Sequence, residues 1–90
     1  MYQLELTAKF KKDIKLAKKR GLNMRLLDEV VTDLVEKGTA APKNKPHKLT
    51  GSYKGFWECH IQPDWLLVWK QDDSIRLITL TRTGTHSDLF

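Results

Sequence analysis

The spacing of apolar residues changes partway along this 90-residue chain, and that change limits the folds open to it. In residues 24–37 apolar side chains recur three and four positions apart, as on one side of a helix. From residue 56 onward they alternate with polar ones or form short runs between turn residues, as in strands. A helical half followed by a strand half predicts an α+β fold rather than a regular α/β alternation.

The first half is predicted to hold one strand and two helices. Residues 2–6 alternate apolar and polar side chains, which is typical of a short strand. The first helix is expected to be capped by Thr7 and ended by Gly21, and the second to be capped by Asn23 and ended by Gly38. Only a few residues join the helices, so they should form an antiparallel hairpin.

The second half is predicted to be a loop followed by a β-meander. Residues 39–52 contain two prolines and one glycine, which favours a loop. Tight turns separate three predicted strands, at residues 56–61, 65–70 and 74–81. The order β-α-α-β-β-β predicts one domain, residues 1–90, with the helix hairpin on one face of a mainly antiparallel four-stranded sheet. The other face is expected to be open.

Composition excludes several classes of protein. A hydrophobic content of 40% supports one small core. No secretory signal and no membrane-length apolar run are visible, and Cys59 is the only cysteine, so we expect a cytoplasmic protein without disulfides. Cys59 and His60 point apart in a strand, and no Cys-x-x-Cys or His-x-x-x-His spacing occurs. We expect neither a metal nor another cofactor.

Positive charge is concentrated in the first half of the chain. Residues 1–48 hold 12 Lys or Arg and 6 Asp or Glu, whereas residues 49–90 hold 4 and 5, within a net charge of +5. Most of the excess comes from lysines of the first helix. This favours either a polyanionic partner such as RNA or simply a solvated helix face, and charge alone does not decide between them.

All three histidines lie in short polar segments of the second half. His47 is in the loop, His60 ends a predicted strand just before Asp64, and His86 follows a glycine turn near the C-terminus. Imidazole both accepts and donates protons near neutral pH, so these groups are candidates for acid–base chemistry. The alternatives are a solvated His47, a half-exposed His60 beside an ordinary turn, and a frayed C-terminal segment around His86.

Four further residues are candidate contacts to a substrate. Arg82 either holds a phosphate bidentately or forms an ion pair with Asp72, Asp73 or Glu58. Phe90 either anchors the C-terminus or stacks on a base. We also interpret Trp65 and Lys48 as substrate-binding, with a core position as the alternative for Trp65.

Three ordered motifs resemble a known family. They are His-Lys-Leu-x-Gly at residues 47–51, His-x-x-Pro-Asp-Trp at 60–65 and Arg-x-Gly-Thr-His at 82–86. With the segment from residue 10 to 20 they are similar to the YafQ branch of the RelE/ParE toxin superfamily over nearly the whole chain. The resemblance implies a RelE-like fold and a ribosome-dependent mRNA endonuclease, paired with a cognate antitoxin. It carries functional roles to six residues: His47, His60, Asp64, Arg82, His86 and Phe90.

The resemblance also implies a mechanism. The RNA 2′-OH would attack the phosphate without a metal, with His86 and Asp64 as acid–base groups, His60 and His47 completing the proton network, and Arg82 balancing charge. Which group is the base stays open. Two alternatives remain: a gyrase poison, since ParE-like relatives share the fold but lack this histidine set, and a non-catalytic RNA-binding module.

Overall fold

The computed structural model describes residues 1–90 as a five-stranded sheet with two long helices on one side. The elements in chain order are β1 (Gln3–Leu6), α1 (Ala8–Lys19), α2 (Met24–Lys37), β2 (His47–Lys48), β3 (Phe56–Gln62), β4 (Trp65–Asp72), β5 (Leu77–Gly84) and α3 (His86–Leu89). The sheet order is β1-β5-β4-β3-β2, parallel between β1 and β5 and antiparallel elsewhere. None of the helices combines the length and apolarity needed to cross a membrane.

The predicted helix boundaries are confirmed by their caps. The Thr7 hydroxyl accepts the Phe10 N–H at 3.0 Å, and the Asn23 side chain accepts the Arg25 N–H at 3.1 Å. Gly38 ends α2 with a φ of 73°, in the left-handed region where a side chain is strained. A Cβ at Gly38 would also lie 2.8 Å from the Tyr2 ring, so two constraints require glycine there.

The main core lies between the helix hairpin and one face of the sheet, which we call the helix face. Its buried members from the helices are Phe10, Ala17, Leu27, Val30 and Leu34. Its buried members from the sheet are Cys59, Ile61, Trp65, Leu67, Trp69, Ile78 and Leu80. Each buried large aliphatic or aromatic side chain contributes roughly 1.5–3 kcal/mol, so this layer fixes how the helices and sheet are arranged.

The sheet has five strands, not the predicted four. The additional strand, β2, lies in the predicted loop and pairs His47 with Glu58 and Lys48 with Trp57. Two residues are too few to show alternation, so no strand signal was visible there. The last strand also starts at Leu77, three residues later than predicted, and extends to Gly84.

The second face of the sheet, which we call the open face, is partly covered. Leu66 and Val68 on this face form a small apolar cluster with Leu89 of α3. The prediction of an entirely uncovered face is therefore wrong, because α3 folds back over the sheet. Gly84 permits this approach, since a Cβ there would lie 2.9 Å from the carboxylate of Asp88.

A bulge in β5 directs Arg82 to the open face. Val68 pairs with Arg82 but the next residue, Trp69, pairs with Leu80, so Thr81 is an extra residue in β5. Without that insertion, strict alternation would send Arg82 to the helix face with Leu80. The bulge therefore reverses the direction that period 2 alone would assign to this arginine.

Candidate active site

The three histidines form a row on the open face. His47 comes from β2, His60 from β3 and His86 from the start of α3. The ring centroids of His47 and His60 are 6.5 Å apart, and those of His60 and His86 are 6.1 Å apart. Three segments that are separate in sequence thus bring their imidazoles to one surface, as sheet pairing and the fold-back of α3 require.

Asp64 fixes the orientation of His86. One of its carboxylate oxygens accepts the His86 backbone N–H at 3.1 Å and faces the ring Nδ1 at 3.3 Å. The backbone hydrogen bond, followed by the ring contact, holds the pKa of Asp64 below its usual range. Because an ionised carboxylate only accepts, Nδ1 must carry the proton. The Nε2 atom of His86 has no hydrogen-bond partner in the protein.

A backbone carbonyl orients His60 in the same way. Its Nδ1 lies 3.2 Å from the Pro63 carbonyl oxygen, which again places the proton on Nδ1 and leaves Nε2 without a protein partner. The Asn44 amide donates to the His60 carbonyl at 2.8 Å and secures the end of β3. Asn44 is buried, and the sequence did not mark it as part of the site.

His47 contacts a carboxylate that no sequence motif marks as part of the site. Its Nε2 lies 3.3 Å from Glu58, and its Nδ1 lies 3.0 Å from the Lys45 carbonyl oxygen. Both ring nitrogens face oxygen acceptors, so a doubly protonated ring satisfies both contacts. Glu58 is only 5% exposed. Two residues apart in β3, Glu58 and His60 share one face of the sheet, but the burial of Glu58 depends on neighbours that the sequence does not reveal.

Arg82 is held by Asp13 of α1. Asp13 accepts from the Arg82 Nε at 2.7 Å and Nη2 at 3.2 Å, and also from the Thr83 backbone N–H at 3.1 Å. The first of these contacts raises the pKa of Arg82 further. The Nη1 atom makes no hydrogen bond within the protein. The predicted ion-pair alternatives for Arg82 named other carboxylates and are wrong, because β5 passes beside α1.

Several contacts anchor the C-terminal segment, so the frayed alternative is wrong. Arg20 donates to Asp88 at 2.6 and 3.2 Å, and Thr85 and Asp88 form a reciprocal capping box. The ion pair with Arg20 is the main cause holding the pKa of Asp88 well below its usual range. Leu89 is the buried anchor, whereas Phe90 stays 55% exposed. The Phe90 ring centroid lies 6.3 Å from that of His86.

Two predicted substrate contacts need correction. Trp65 is 2% exposed, and its indole N–H donates to the Thr83 hydroxyl at 2.9 Å, so it is a core residue that cannot stack on a base. Lys48 lies directly opposite Trp57, with its Nζ 5.6 Å from that ring centroid. Trp57 stacks on the core residue Trp69, so Lys48 faces away from the histidine row.

Two other kinds of reactive group are possible metal ligands and the thiol of Cys59. No group of three or more His, Cys, Asp or Glu side chains is placed to hold a metal ion. Cys59 is completely buried, and its burial raises the pKa of the thiol to about 12. A thiol with that pKa is not a nucleophile at neutral pH.

A family model and known proteins match this chain. The model, described as a bacterial toxin of type II toxin-antitoxin system, YafQ, matches residues 2–90. The mRNA interferase toxin YafQ of Escherichia coli strain K12 is 40% identical over 88 residues, covering 97% of this chain and 94% of the relative.

Two solved structures agree in fold over the full length. YafQ in the E. coli DinJ-YafQ complex is 38% identical with a TM-score of 0.89, covering 100% of this chain and 99% of its own. A metal-bound toxin from Helicobacter pylori is 42% identical with a TM-score of 0.91, covering 100% of both chains.

Proposed function

The chain belongs to the YafQ family of toxins of type II toxin–antitoxin systems and is an mRNA interferase, and we propose that it cleaves mRNA on the ribosome by acid–base catalysis. One observation carries the proposed mechanism: His60 and His86 lie 6.1 Å apart, and each is oriented through Nδ1 with Nε2 free. Two such groups suit a reaction that removes one proton and delivers another.

The two orienting groups favour different roles for the two histidines. A neutral carbonyl accepts from the Nδ1–H of His60, so the Nε2 lone pair is the one available to take a proton. An ionised carboxylate lies beside Nδ1 of His86, which suits a ring that carries a proton on both nitrogens before it gives one away. We therefore assign His60 as the base and His86 as the acid. His60 takes the 2′-OH proton as the O2′–P bond forms, and His86 gives a proton to O5′ as the P–O5′ bond breaks. The products are a 2′,3′-cyclic phosphate and a 5′-OH end.

Positive charge from His47 and Arg82 would stabilise the phosphorane. His47, held between Glu58 and a carbonyl, would supply positive charge in its doubly protonated form. Arg82 retains one free nitrogen for a phosphate oxygen while Asp13 holds the other two. Preorganised donors of this kind act on charge that develops in the transition state.

The partners follow from the family and the charge distribution. One relative is described in complex with DinJ, and this chain is expected to have its own antitoxin. The exposed lysines of α1 and of the 39–52 loop would bind ribosomal RNA phosphates, and a protein that acts on ribosomes would work in the cytoplasm. The acid–base groups come from the protein alone, so no metal is required in this proposal.

The acid assignment is tested with a modified leaving group. A substrate with sulfur in place of the bridging O5′ departs without protonation, so it makes a general acid unnecessary. We expect His86→Ala to cleave normal mRNA about 10²–10⁴-fold more slowly and the sulfur substrate at close to the wild-type rate. His60→Ala is the matched control and should be slow on both substrates. Equal rescue of both variants would refute the assignment.

A second assay separates the proposed function from the alternatives. Programmed ribosomes are incubated with the protein, and mRNA ends are mapped with and without EDTA and with a 2′-O-methyl substrate. Cleavage that survives EDTA and fails on the 2′-O-methyl substrate supports the mechanism, and loss with EDTA refutes its metal independence. Intact mRNA combined with inhibited supercoiling would support the gyrase alternative. Intact mRNA alone would leave a binding module.

A further inference from the structure

The histidine row continues into three phenylalanine or tyrosine rings on the same face. The Phe90 ring, next to His86, lies 4.9 Å from the Tyr53 ring, which in turn lies 6.4 Å from the Phe56 ring. Each of six consecutive rings is therefore within 6.5 Å of its neighbour. Three imidazole rings lie at one end, and two phenylalanine rings and one tyrosine ring lie at the other. This face therefore has two chemically different halves.

The apolar half encloses a small cavity of about 180 Å³. Its lining consists of Lys9, Tyr53, Phe56, Val68, Thr81, Arg82, Leu89 and Phe90. We call this cavity the aromatic slot. Its walls include two cationic side chains and no acidic one. A third cation, Lys70, has its Nζ 5.1 Å from the Phe56 ring centroid.

Two of the aromatic side chains here are exposed. Tyr53 is 38% and Phe90 is 55% exposed, although Leu89 already anchors α3. A volume of about 180 Å³ is below the roughly 300 Å³ at which pockets for drug-sized molecules begin. Such a volume suits one planar base rather than a dinucleotide or a peptide segment. Aromatic rings beside cations are the usual elements of sites for unpaired nucleotides.

We propose that the aromatic slot holds one unstacked base of the mRNA next to the cleaved bond, with Lys9 and Arg82 binding the phosphate of that nucleotide. The inference rests on the proposed nuclease function and adds the nucleotide site that positions the substrate. Phe90 belongs to both halves of the face, being 6.3 Å from His86 and 4.9 Å from Tyr53, so the site and the slot are contiguous. A base held there limits where the neighbouring phosphate can lie relative to His86.

Tyr53 offers a matched pair of variants. Its hydroxyl donates to the Leu89 carbonyl at 3.2 Å, so the residue both lines the slot and contacts α3. Tyr53→Phe removes only that hydrogen bond, whereas Tyr53→Leu also removes the aromatic surface. Phe90→Leu tests the other wall at an exposed terminal residue, where a folding defect is not expected.

The test is an abasic scan of the mRNA. Single abasic sites are placed at successive positions around the cut, and single-turnover cleavage is measured on programmed ribosomes with each variant. With the wild-type protein, an abasic site at one position should lower the cleavage rate about 5- to 150-fold, which is the effect of one base–aromatic stack. Tyr53→Leu should lower the cleavage rate on intact mRNA by a similar factor. On the mRNA with that abasic site, the same variant should be no slower than the wild-type protein. Tyr53→Phe should resemble wild type.

Lys9 has a matched control in the same helix. Lys9→Gln and Lys12→Gln remove the same charge from exposed positions of α1, but only Lys9 lines the slot. At saturating ribosomes, Lys9→Gln should slow cleavage and Lys12→Gln should not. Equal effects would mean that Lys9 acts only through net charge, and the phosphate contact would be wrong.

Other outcomes overturn the inference without ambiguity. If the Tyr53→Leu and abasic losses multiply at every position, no base occupies the slot. If the scan is flat while Tyr53→Leu and Phe90→Leu weaken antitoxin binding, the slot is a protein-binding site. If wild-type protein does not cut intact mRNA at all, the proposed function fails rather than the slot alone.

Discussion

Asp64 accepts two hydrogen bonds from His86, and these lower the pKa of its carboxyl. A carboxyl with a lowered pKa stays ionised above its ordinary value of about 3.9. Its contribution to stability is complete above that value and is lost only as pH falls through the lower folded pKa. Asp64 therefore does not titrate in the neutral range where the proposed histidine chemistry operates.

The first prediction concerns the pH dependence of cleavage. We expect no titration step from Asp64 between pH 5 and 8 (a range set about one unit above its usual pKa of about 3.9). Asp64→Asn keeps an acceptor oxygen but removes the negative charge beside His86, so the rate should fall about 10²-fold or more. Single-turnover profiles of both proteins provide the measurement. A step in this range that disappears in Asp64→Asn would show that Asp64 itself exchanges the proton.

The second prediction concerns Asp13, which joins α1 to Arg82. Its side chain is 12% exposed and receives three hydrogen bonds. Asp13→Asn should lower the free energy of unfolding by about 1–3 kcal/mol, because hydrogen bonds to charged groups are removed from a largely buried position. Urea denaturation measures the change. Asp28→Asn is the control, since Asp28 is exposed on α2, and it should change stability by less than about 0.5 kcal/mol.

Single residues differed in how far the sequence could place them. The proximity of His60, Asp64 and His86 was predictable, because the turns that follow β3 and β5 bring them to one edge of the sheet. Glu58 and Asp13 were missed because their importance depends on the folded structure. Glu58 is significant because it is buried, and Asp13 because it faces an arginine 69 residues away. Neither property is visible in a linear pattern.

At the scale of elements, α3 depends on contacts outside itself. Four residues are too few to form a stable helix alone, so the capping box and the Arg20 ion pair must hold it. The lowered pKa of Asp88 keeps that carboxyl ionised down to pH values below its usual range, so acid should release α3 only there. The position of His86, at the first residue of α3, follows from this attachment.

The third prediction tests that attachment. Asp88→Ala removes both the capping box and the ion pair, which should destabilise α3 locally by about 0.5–2 kcal/mol. Cleavage should fall, while the global melting temperature changes little because the main core is untouched. Hydrogen exchange at the Leu89 and Phe90 amides should become faster. Ser87→Ala is the control, as Ser87 is exposed and makes no side-chain hydrogen bond. Equal exchange in both variants would contradict the role of Asp88.

The elements with repeated internal patterns were predictable, and the short ones were not. The two long helices carry several turns of apolar spacing and clear caps, so α1 and α2 were found. In contrast, β2 has two residues and α3 has four, so pairing and capping by distant residues decide their structure. The bulge at Thr81 depends on register with β4, which no local signal in β5 specifies.

At the scale of the whole molecule, the basic helix α1 lies beside the open face of the sheet. The lysines of α1 are exposed, and Lys9 among them lines the aromatic slot on the open face. The basic helix therefore borders the surface that carries the histidines. In the proposed function, α1 would bind RNA phosphates while the open face contacts the strand to be cut.

The fourth prediction is that α1 lysines set the salt dependence of ribosome binding. Each lysine bound to a phosphate releases counterions, so removing one such lysine should reduce the slope of log affinity against log salt by about 0.7–0.9. Lys11→Gln with Lys15→Gln should therefore reduce the slope by about 1.4–1.8, if both lysines bind phosphates. Binding is measured across salt concentrations in a His86→Ala background, in which cleavage is slow. Lys37→Gln with Lys54→Gln removes the same charge outside α1 and should leave the slope nearly unchanged. If both pairs reduce it equally, the ribosome responds to net charge, and α1 is not the docking surface.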